Sequence, residues 1–210
     1  MNSPLLVEWS SHPRELSEDT PCAVLEFNGA QRHVDSSISR NLLASLRYSL
    51  RRAEALGPVR IERAIPEKLT TMLESLFGLH ESRWSARGES GVLSRQAVQS
   101  FHCEVAARFL MRGWLRLFLL HIGPRTAAVS YGFHVRGRSY FYIGGFDPTF
   151  ARYSPGSLLL WHVIRSAADE GAREFDFLRG SETYKRRWGA RERPQIRMQI
   201  RRQLAAAETS

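Results

Sequence analysis

The stretch that decides the fold runs from Tyr142 to Ala190 and reads YIGGFDPTFARYSPGSLLLWHVIRSAADEGAREFDFLRGSETYKRRWGA. It opens on the end of a strand, which closes in a Gly-Gly, Asp-Pro turn. A helix follows over 154–171, marked by Ser154 as its N-cap, Pro155 in its first turn and Gly171 after its end. A second strand is predicted over 173–178. This order indicates helices packed on a sheet.

Upstream of this stretch, three strands joined by short turns are predicted. Residues 114–122, 126–135 and 139–146 follow a period of two, and only the tripeptides GPR and RGR separate them. Such short connections are typical of an antiparallel meander. Two helices come before the meander, one beginning at Pro66 and one ending at Gly113, each with apolar residues at helical spacing.

A further helix is predicted over 39–57 and contains several arginines. Three further strands are predicted over 22–27, 59–64 and 194–202. Taken together, the segments predict an α+β fold with a mixed central sheet, of which the antiparallel meander is a part and which helices flank.

The composition predicts a folded domain with an anionic partner. The chain has 210 residues, of which 43% are hydrophobic and 24% charged, so it can bury a core. Its net charge is +9, which favours a phosphorylated cofactor, nucleic acid or an anionic membrane surface. The excess is concentrated between Lys185 and Arg202, where Glu192 is the only acidic residue.

The cysteines and the apolar runs exclude several classes of protein. Cys22 and Cys103 lie far apart and in no metal-ligand spacing, so we expect reduced thiols, no metal and a cytoplasmic location. The first residues lack the pattern of a signal peptide. No apolar run reaches the ~18 residues that a membrane span requires, so no span is expected.

The start of the helix over 154–171 is a candidate anion site. The first N–H groups of a helix have no partner within it, and the helix dipole favours negative charge there. Gly156 lets a ligand approach the backbone and Ser157 adds a hydroxyl, so a pyrophosphate could lie against 156–158. The alternative is that Ser154, Pro155 and Gly156 only start the helix.

Two other regions are open to a functional and a structural interpretation. Tyr142 could protonate a leaving group and Asp147 could orient or deprotonate an amine, or both could belong to a half-buried strand and its turn. The basic segment 185–202 could be a solvated surface, or it could bind RNA through its cations and aromatic residues. The scattered histidines show no metal-ligand or catalytic spacing, and we expect them to be structural or to lie at the surface.

The quoted stretch resembles the C-terminal half of a bacterial acyltransferase of the GNAT superfamily. It is most similar to the acetyltransferases associated with cellulose biosynthesis (CelD/BcsL-like), which are distantly related to the Fem-type aminoacyltransferases. The motifs that carry the resemblance stand in order here: Gly145 to Pro148, Tyr153 to Gly156, Phe175 to Phe177, Arg179-Gly180 and Tyr184 to Gly189. The resemblance extends from about Pro66 to Arg193 and implies a GNAT-like (acyl-CoA N-acyltransferase) fold.

The resemblance also implies a reaction. An acyl group, usually acetyl, passes directly from a CoA thioester to an amine, with acetyl-CoA or another acyl-CoA as co-substrate. The implied cofactor-binding residues are Tyr153, Ser154, Gly156, Ser157 and Arg179. The implied catalytic residues are Asp147 as a base toward the amine, Tyr142 or Tyr184 as an acid for the thiolate, and Lys185 in contact with a phosphate or the acyl group.

Members of this group usually carry two GNAT-like halves, and the resemblance implies that this chain keeps the second. The expected parts are a flexible lead-in (1–20), a remnant of the preceding half with its connecting basic helix (21–65), the acyltransferase domain (66–202) and a tail (203–210). A homodimer, or a partner in place of the missing half, is expected where that half would pack.

Three functions fit these features. The first is CoA-dependent N-acyl transfer in exopolysaccharide or cell-envelope metabolism. The second is a Fem-type transfer from aminoacyl-tRNA, which the charge of +9 would suit. The third is a noncatalytic, half-length module that binds nucleic acid or a protein partner through 185–202.

Overall fold

The computed structural model describes residues 14–27, 34–85, 88–180 and 182–200. Seven strands form one sheet: β1 (Arg14–Glu26), β2 (Val59–Arg63), β3 (Leu115–Ile122), β4 (Arg125–Val135), β5 (Arg138–Phe146), β6 (Glu174–Arg179) and β7 (Arg191–Ile200). Their order across the sheet is β2-β3-β4-β5-β6-β1-β7. Neighbouring strands are antiparallel except β5 and β6, which are parallel.

The helices of the described part lie between these strands along the chain. They are α1 (Val34–Ser37), α2 (Arg40–Glu54), α3 (Leu69–Ser85), α4 (Gln96–Met111), α5 (Pro155–Asp169) and α6 (Thr183–Arg187). Two 3₁₀ helices, Pro66–Lys68 and Pro148–Tyr153, lead into α3 and α5. Within the described ranges, no helix combines the length and the apolar character needed to cross a membrane.

Helices cover both faces of the sheet, because successive side chains of a strand point to opposite faces. Leu117 and Leu119 of β3 belong to a core that α3 and α4 complete. Phe118 and Leu120 of the same strand belong to a second core, which α1, α2 and α5 complete. The sheet therefore separates α3 and α4 on one face from α2 and α5 on the other.

An amphipathic face holds α2 beside the start of α5. Leu42, Leu46 and Ala53 are buried on this face at helical spacing. The side chain of Ser39 caps the helix by accepting the N–H of Leu42 at 3.2 Å. This face packs against α5 and against the 3₁₀ helix 148–153, so α2 lies next to the chain segment that enters α5.

β5 and β6 diverge soon after they begin. Their parallel pairing starts with Arg138 opposite Glu174 and ends with Tyr140 opposite Asp176, although both strands continue. Near the end of β6, Leu178 has a φ of 59°, which lies in the left-handed region. The two strands therefore separate beyond this point.

Much of the predicted fold is confirmed. β3, β4 and β5 form the antiparallel meander, and the sheet is mixed and flanked by helices. Residues 14–20, expected in the flexible lead-in, instead belong to β1, because Arg14 to Asp19 pair with β7. Residues 1–13, 201–202 and the predicted tail 203–210 lie outside the described residues. The predicted domain boundary after residue 65 stays a prediction.

Candidate active site

A cleft of about 380 Å³ lies beside the part of β5 that follows its pairing with β6, from Phe141 to Phe146, and its size is typical of sites for small ligands and cofactors. One wall is formed by the start of α5 and one side of α2. Another part of the lining is formed by Tyr184 and Arg187 of α6 and by Trp188 directly after it. Arg83, from the end of α3, reaches the cleft from the other face of the sheet.

The start of α5 contributes Ser154, Gly156 and Ser157 to the cleft. Ser154 is the N-cap residue, as predicted, but its side chain makes no capping bond and its backbone is left-handed (φ 51°, ψ 47°). Its carbonyl accepts the N–H groups of Ser157 at 3.0 Å and Leu158 at 3.1 Å. By its position in the first turn, the N–H of Gly156 has no acceptor within the helix. The cleft wall therefore carries the positive end of a helix dipole.

The charged residues of the cleft lining are the arginines Arg83 and Arg187. Nη1 of Arg83 donates to the carbonyl oxygen of Gly144 at 3.1 Å, and its guanidinium carbon lies 5.7 Å from the centre of the Phe146 ring. Among the described lining residues, none is Asp or Glu. The cleft is therefore electropositive and suits an anionic ligand.

Tyr184 brings a phenol into the cleft. Its ring packs edge-on against Phe177, with 6.4 Å between the ring centroids. Burial raises the pKa of Tyr184 to about 12; the charge of Glu182 adds to the rise, and the charge of Arg83 opposes it. The phenol therefore stays protonated at neutral pH and can donate a hydrogen bond.

Lys185 is buried, with 2% of its surface exposed, and does not line the cleft. Its Nζ donates to the carbonyl oxygens of Leu178 at 3.2 Å, Arg179 at 2.8 Å and Gly180 at 3.2 Å, and it pairs with Glu182 at 2.9 Å. An ammonium group has three N–H donors, and the three carbonyl oxygens are sufficient to occupy them. Contact between Lys185 and a phosphate or acyl group stays a prediction that this placement does not favour.

Asp147 lies at the N-cap of the 3₁₀ helix 148–153, outside the cleft lining. Its carboxylate accepts the N–H of Thr149 at 2.9 Å and pairs with Arg125 at 2.7 Å. Burial raises the pKa of Asp147, but the hydrogen bonds from Thr149 and the charge of Arg125 outweigh it, so the pKa lies below its ordinary value. A carboxylate held in this way is a weak base, so the role of amine base stays a prediction that the geometry does not favour.

Tyr142 lies on β5 at a bulge, where the ladder with β4 shifts by one residue. It does not line the cleft. Its ring packs instead with His102, Tyr131 and Phe133, at centroid distances of 5.5, 6.0 and 6.0 Å. The ring therefore belongs to an aromatic cluster on the α4 side of the sheet.

Two predicted cofactor-binding residues also lie outside the lining. Tyr153 is buried, and the guanidinium groups of Arg52 and Arg152 lie 5.2 and 4.8 Å from its ring centre. Arg179 is exposed and pairs with Asp19 at 2.8 Å. Of the nine residues predicted for the site, the cleft brings together Tyr184, Ser154, Gly156 and Ser157.

The described part of the basic segment, 185–200, is extensively paired within the protein. Lys185 is buried, and Arg187 faces the cleft. Three further arginines form ion pairs: Arg186 with Glu192 at 2.5 Å, Arg193 with Glu174 at 2.7 Å and Arg197 with Asp19 at 3.4 Å. The segment thus offers a partner fewer available charges than its composition indicates.

Arg83 and Ser49 are among the cleft residues that the sequence analysis missed, although each had a signal. Arg83 continues the stripe of α3 that contains Leu76 and His80, at spacings of four and three residues. A cation at the end of a buried stripe is the signal that was available there. Ser49, which also lines the cleft, follows Leu46 on the buried face of α2. A polar side chain is uncommon on a buried helix face, so this serine was the corresponding signal in α2.

The family comparison matches residues 40–186 to the model described as acetyltransferase (GNAT) domain. The matched range includes α2 and most of the cleft. None of the curated proteins compared with the chain matches it significantly.

Several solved structures share the fold. FemX has a TM-score of 0.65 at 13% identity, over 84% of this chain and 60% of that chain. The C-terminal domain of a putative lysylphosphatidylglycerol synthetase from Agrobacterium fabrum has a TM-score of 0.63 at 12% identity, over 94% and 65%. A GCN5-related N-acetyltransferase from Sphaerobacter thermophilus has 0.50 at 10%, over 95% and 56%. The chain thus spans less than two thirds of each of these structures, and the likeness is one of fold.

Proposed function

The chain belongs to the acetyltransferase (GNAT) family, and on this premise we propose that it moves an acyl group from a CoA thioester to an amine. Acetyl is the proposed acyl group, and acetyl-CoA the proposed co-substrate. The observation that carries the proposal is the electropositive cleft beside the part of β5 that is not paired with β6, with a helix N-terminus in its wall and two arginines in its lining.

The proposed site for the CoA pyrophosphate is the start of α5. The N–H of Gly156 and the hydroxyls of Ser154 and Ser157 can donate to phosphate oxygens there, and the helix dipole favours the negative charge. Arg187, which also lines the cleft, adds a cation. The pantetheine arm would run along β5 beyond Tyr140, where pairing with β6 has ended.

The proposed reaction is a direct attack. The lone pair of a neutral amine attacks the thioester carbonyl carbon, the C–N bond forms and the C–S bond breaks. The proton that the nitrogen loses passes to the departing sulfur, directly or through water, and gives an amide and the thiol of CoA. Because no carboxylate stands among the described lining residues, we propose that the amine enters in its neutral form and that positioning supplies much of the rate.

Tyr184 is proposed to stabilise the charge that develops on the carbonyl oxygen or the sulfur. With a pKa of about 12, its phenol is a weaker acid than an ordinary thiol, whose pKa is about 8.5. Full proton transfer to the thiolate is therefore unfavourable, whereas a hydrogen bond to it is favourable. This proposal replaces the predicted role of proton donor with that of hydrogen-bond donor.

An amino sugar or a peptide amine is the proposed acceptor, in exopolysaccharide or cell-envelope metabolism. This choice, like the assignment to the CelD/BcsL-like group, is supported by the motif resemblance alone. It is tested by following thiol release from acetyl-CoA in the presence of glucosamine and of short peptides with a free lysine amine. Acetylation of neither class would contradict it.

Isothermal titration with acetyl-CoA and with CoA tests the donor. We expect saturable binding of both ligands, which weakens as salt is added because the phosphates meet cations. The protein is confirmed as folded by its circular dichroism before titration. No detectable heat at millimolar ligand would rule out the CoA-dependent function for this chain.

One observation favours a second candidate, transfer from an aminoacyl-tRNA. The α2 helix lines the cleft through Ser45 and Ser49, and the same helix exposes Arg40, Arg47 and Arg51. A cationic helix beside a catalytic cleft suits a polyanionic co-substrate. Binding of tRNA with a steep salt dependence, together with no heat from CoA, would favour this candidate over the first.

A further inference from the structure

We propose that Lys185 is a positioning residue that holds the end of β6 and the helix α6 in the arrangement that keeps the cleft open. The inference rests on the proposed function, because it states what shapes the proposed acyl-CoA site. It also gives the lysine of the motif from Tyr184 to Gly189 a role that needs no contact with a substrate.

The first observation is an unfavourable turn at the point where β6 leaves β5. Pairing of the two strands ends at Asp176, and two residues later Leu178 has a φ of 59°. The left-handed region is unfavourable for a residue with a Cβ atom, so neighbouring groups must hold it there. One such group is the carboxylate of Asp176, which accepts the N–H of Leu178 at 2.7 Å.

The second observation is the convergence of three successive carbonyl groups on one ammonium. The carbonyl oxygens of Leu178, Arg179 and Gly180 all lie within 3.2 Å of Nζ of Lys185. An ordinary strand directs successive carbonyls to opposite sides, so the turn alone brings these three together. The ammonium therefore stabilises the turn that directs β6 away from β5.

The third observation is the placement of α6. Lys185 stands on the same short helix as Tyr184 and Arg187, which line the cleft while the lysine points to the turn. A helix of five residues is not stable on its own. The hydrogen bonds from Nζ connect α6 to the end of β6. One side chain therefore stabilises both the turn at the end of β6 and the position of the α6 residues that line the cleft.

These contacts require a lysine rather than an arginine. Three donors on one compact group can meet three carbonyls that surround a point, whereas the planar fork of an arginine directs its donors into one plane. Lys185→Met keeps most of the stem and removes the donors. Arg186→Met is the matched control, because Arg186 is an exposed neighbour that pairs with Glu192 at the surface.

Hydrogen exchange of single amides tests the inference without a ligand. The reporters are the N–H groups of Leu178, Gly180 and Trp188, which are bonded to Asp176, Pro21 and Lys185. We expect Lys185→Met to accelerate their exchange at least tenfold and Arg186→Met to leave it unchanged. Amides in the centre of β3 and β4 are expected to exchange at the wild-type rate in both variants.

Ligand binding and a second substitution separate positioning from general destabilisation. The affinity for acetyl-CoA is expected to fall at least tenfold in Lys185→Met. Adding Leu178→Gly is expected to recover most of that loss, because glycine adopts a positive φ without strain.

If Lys185→Met does not fold, Glu182→Gln tests the same contact and is expected to accelerate exchange of the reporter amides about threefold, since it removes only the ion pair.

The outcomes are distinct. Wild-type exchange at the reporter amides in both lysine and glutamate variants would overturn the inference. A Lys185→Met protein that keeps this exchange and its acetyl-CoA affinity but loses turnover would show that the lysine acts on a substrate, which also overturns it. If the wild-type protein binds no acetyl-CoA, the proposed function fails, and the exchange data still decide whether Lys185 holds the turn.

Discussion

Arg83 of α3 donates a hydrogen bond of 3.1 Å from Nη1 to the carbonyl oxygen of Gly144 on β5. The bond joins α3, which lies on one face of the sheet, to β5, which borders the cleft. The other helices that line the cleft are α2 and α5, on the opposite face of the sheet, and α6. A cation is thereby held beside the backbone along which we propose that the donor lies.

Arg83→Gln is expected to weaken CoA binding about tenfold, or about 1.4 kcal/mol, because a charge-assisted contact with the anionic ligand is lost. The dependence of the dissociation constant on salt should become less steep. Titration calorimetry at several salt concentrations measures both. Arg165→Gln is the control, because Arg165 stacks on Trp161 at 5.3 Å and does not line the cleft. Equal affinities in the two variants would contradict the expectation.

Gly156→Asp is expected to separate binding from stability. A Cβ at Gly156 would meet only Phe146, at an ordinary 3.7 Å, and a carboxylate in the first turn of a helix is mildly stabilising. The same carboxylate would repel the pyrophosphate, so CoA affinity should fall by roughly 100-fold while the melting temperature holds or rises. Gly156→Ala, which adds the Cβ without charge, should lose much less affinity than Gly156→Asp. Tight CoA binding by the aspartate variant would place the phosphates elsewhere.

Tyr184→Phe is expected to slow turnover by roughly 100-fold, the usual effect of removing one donor to a developing charge. The KM for acetyl-CoA should change little, because the ring remains in place against Phe177. The pKa of Tyr184 is raised to about 12, so the phenol stays protonated between about pH 6 and about pH 10. Loss of its proton should therefore cause no fall in the wild-type turnover rate over that range. Steady-state kinetics across that range check both statements, and unchanged turnover would remove the tyrosine from the mechanism.

Asp147→Ala is expected to cost stability and to spare turnover. The variant loses an N-cap and an ion pair with Arg125, which together contribute about 1–2 kcal/mol to the free energy of unfolding. Turnover below the melting transition should stay within about twofold, because the carboxylate lies outside the cleft. Urea unfolding and kinetics on the same sample test the pair of expectations. If turnover instead slows by roughly 100-fold or more while stability stays normal, Asp147 is restored as the amine base.

Glu174→Gln is expected to destabilise the protein at neutral pH and much less in acid. Two hydrogen bonds from Arg193, at 3.0 and 2.7 Å, hold the pKa of Glu174 below its ordinary value against the effect of burial. A lowered folded pKa means that the stabilisation is complete above the unfolded value near 4.3 and is lost as pH falls through the folded value. We expect a loss of about 2 kcal/mol at pH 7. Urea unfolding at pH 7 and pH 3 measures the difference, and an equal loss at both would contradict it.

The start of α5 could be predicted because its signals are local. Pro155 at the first helical position and Gly171 after the end mark the helix in sequence alone. The left-handed backbone of Ser154 could not be predicted in this way, since serine carries no preference for that region. It follows from the meeting of the 3₁₀ helix 148–153 with α5, which tertiary packing decides.

The direction of side chains on α6 could not be predicted either. A helix of five residues is too short for a hydrophobic period, so Tyr184 and Lys185 were equal candidates in sequence. In the structure they point to different places, Tyr184 to the cleft and Lys185 to the carbonyls after β6. Arg83 was missed for a related reason, because only the packing of α3 on β5 brings its guanidinium to Gly144.

The position of β1 has a consequence for the order in which the protein is made. β1 lies between β6 and β7, with Glu26 opposite Glu174 and Arg14 opposite Ile200. β1 is therefore synthesised long before β6 and β7, and both of its edges remain unpaired in the nascent chain until those strands emerge. The sheet is completed, and α6 can pack beside the cleft, only when nearly the whole described chain has emerged. Ligand binding by a nascent chain would therefore report that α6 and β7 have emerged.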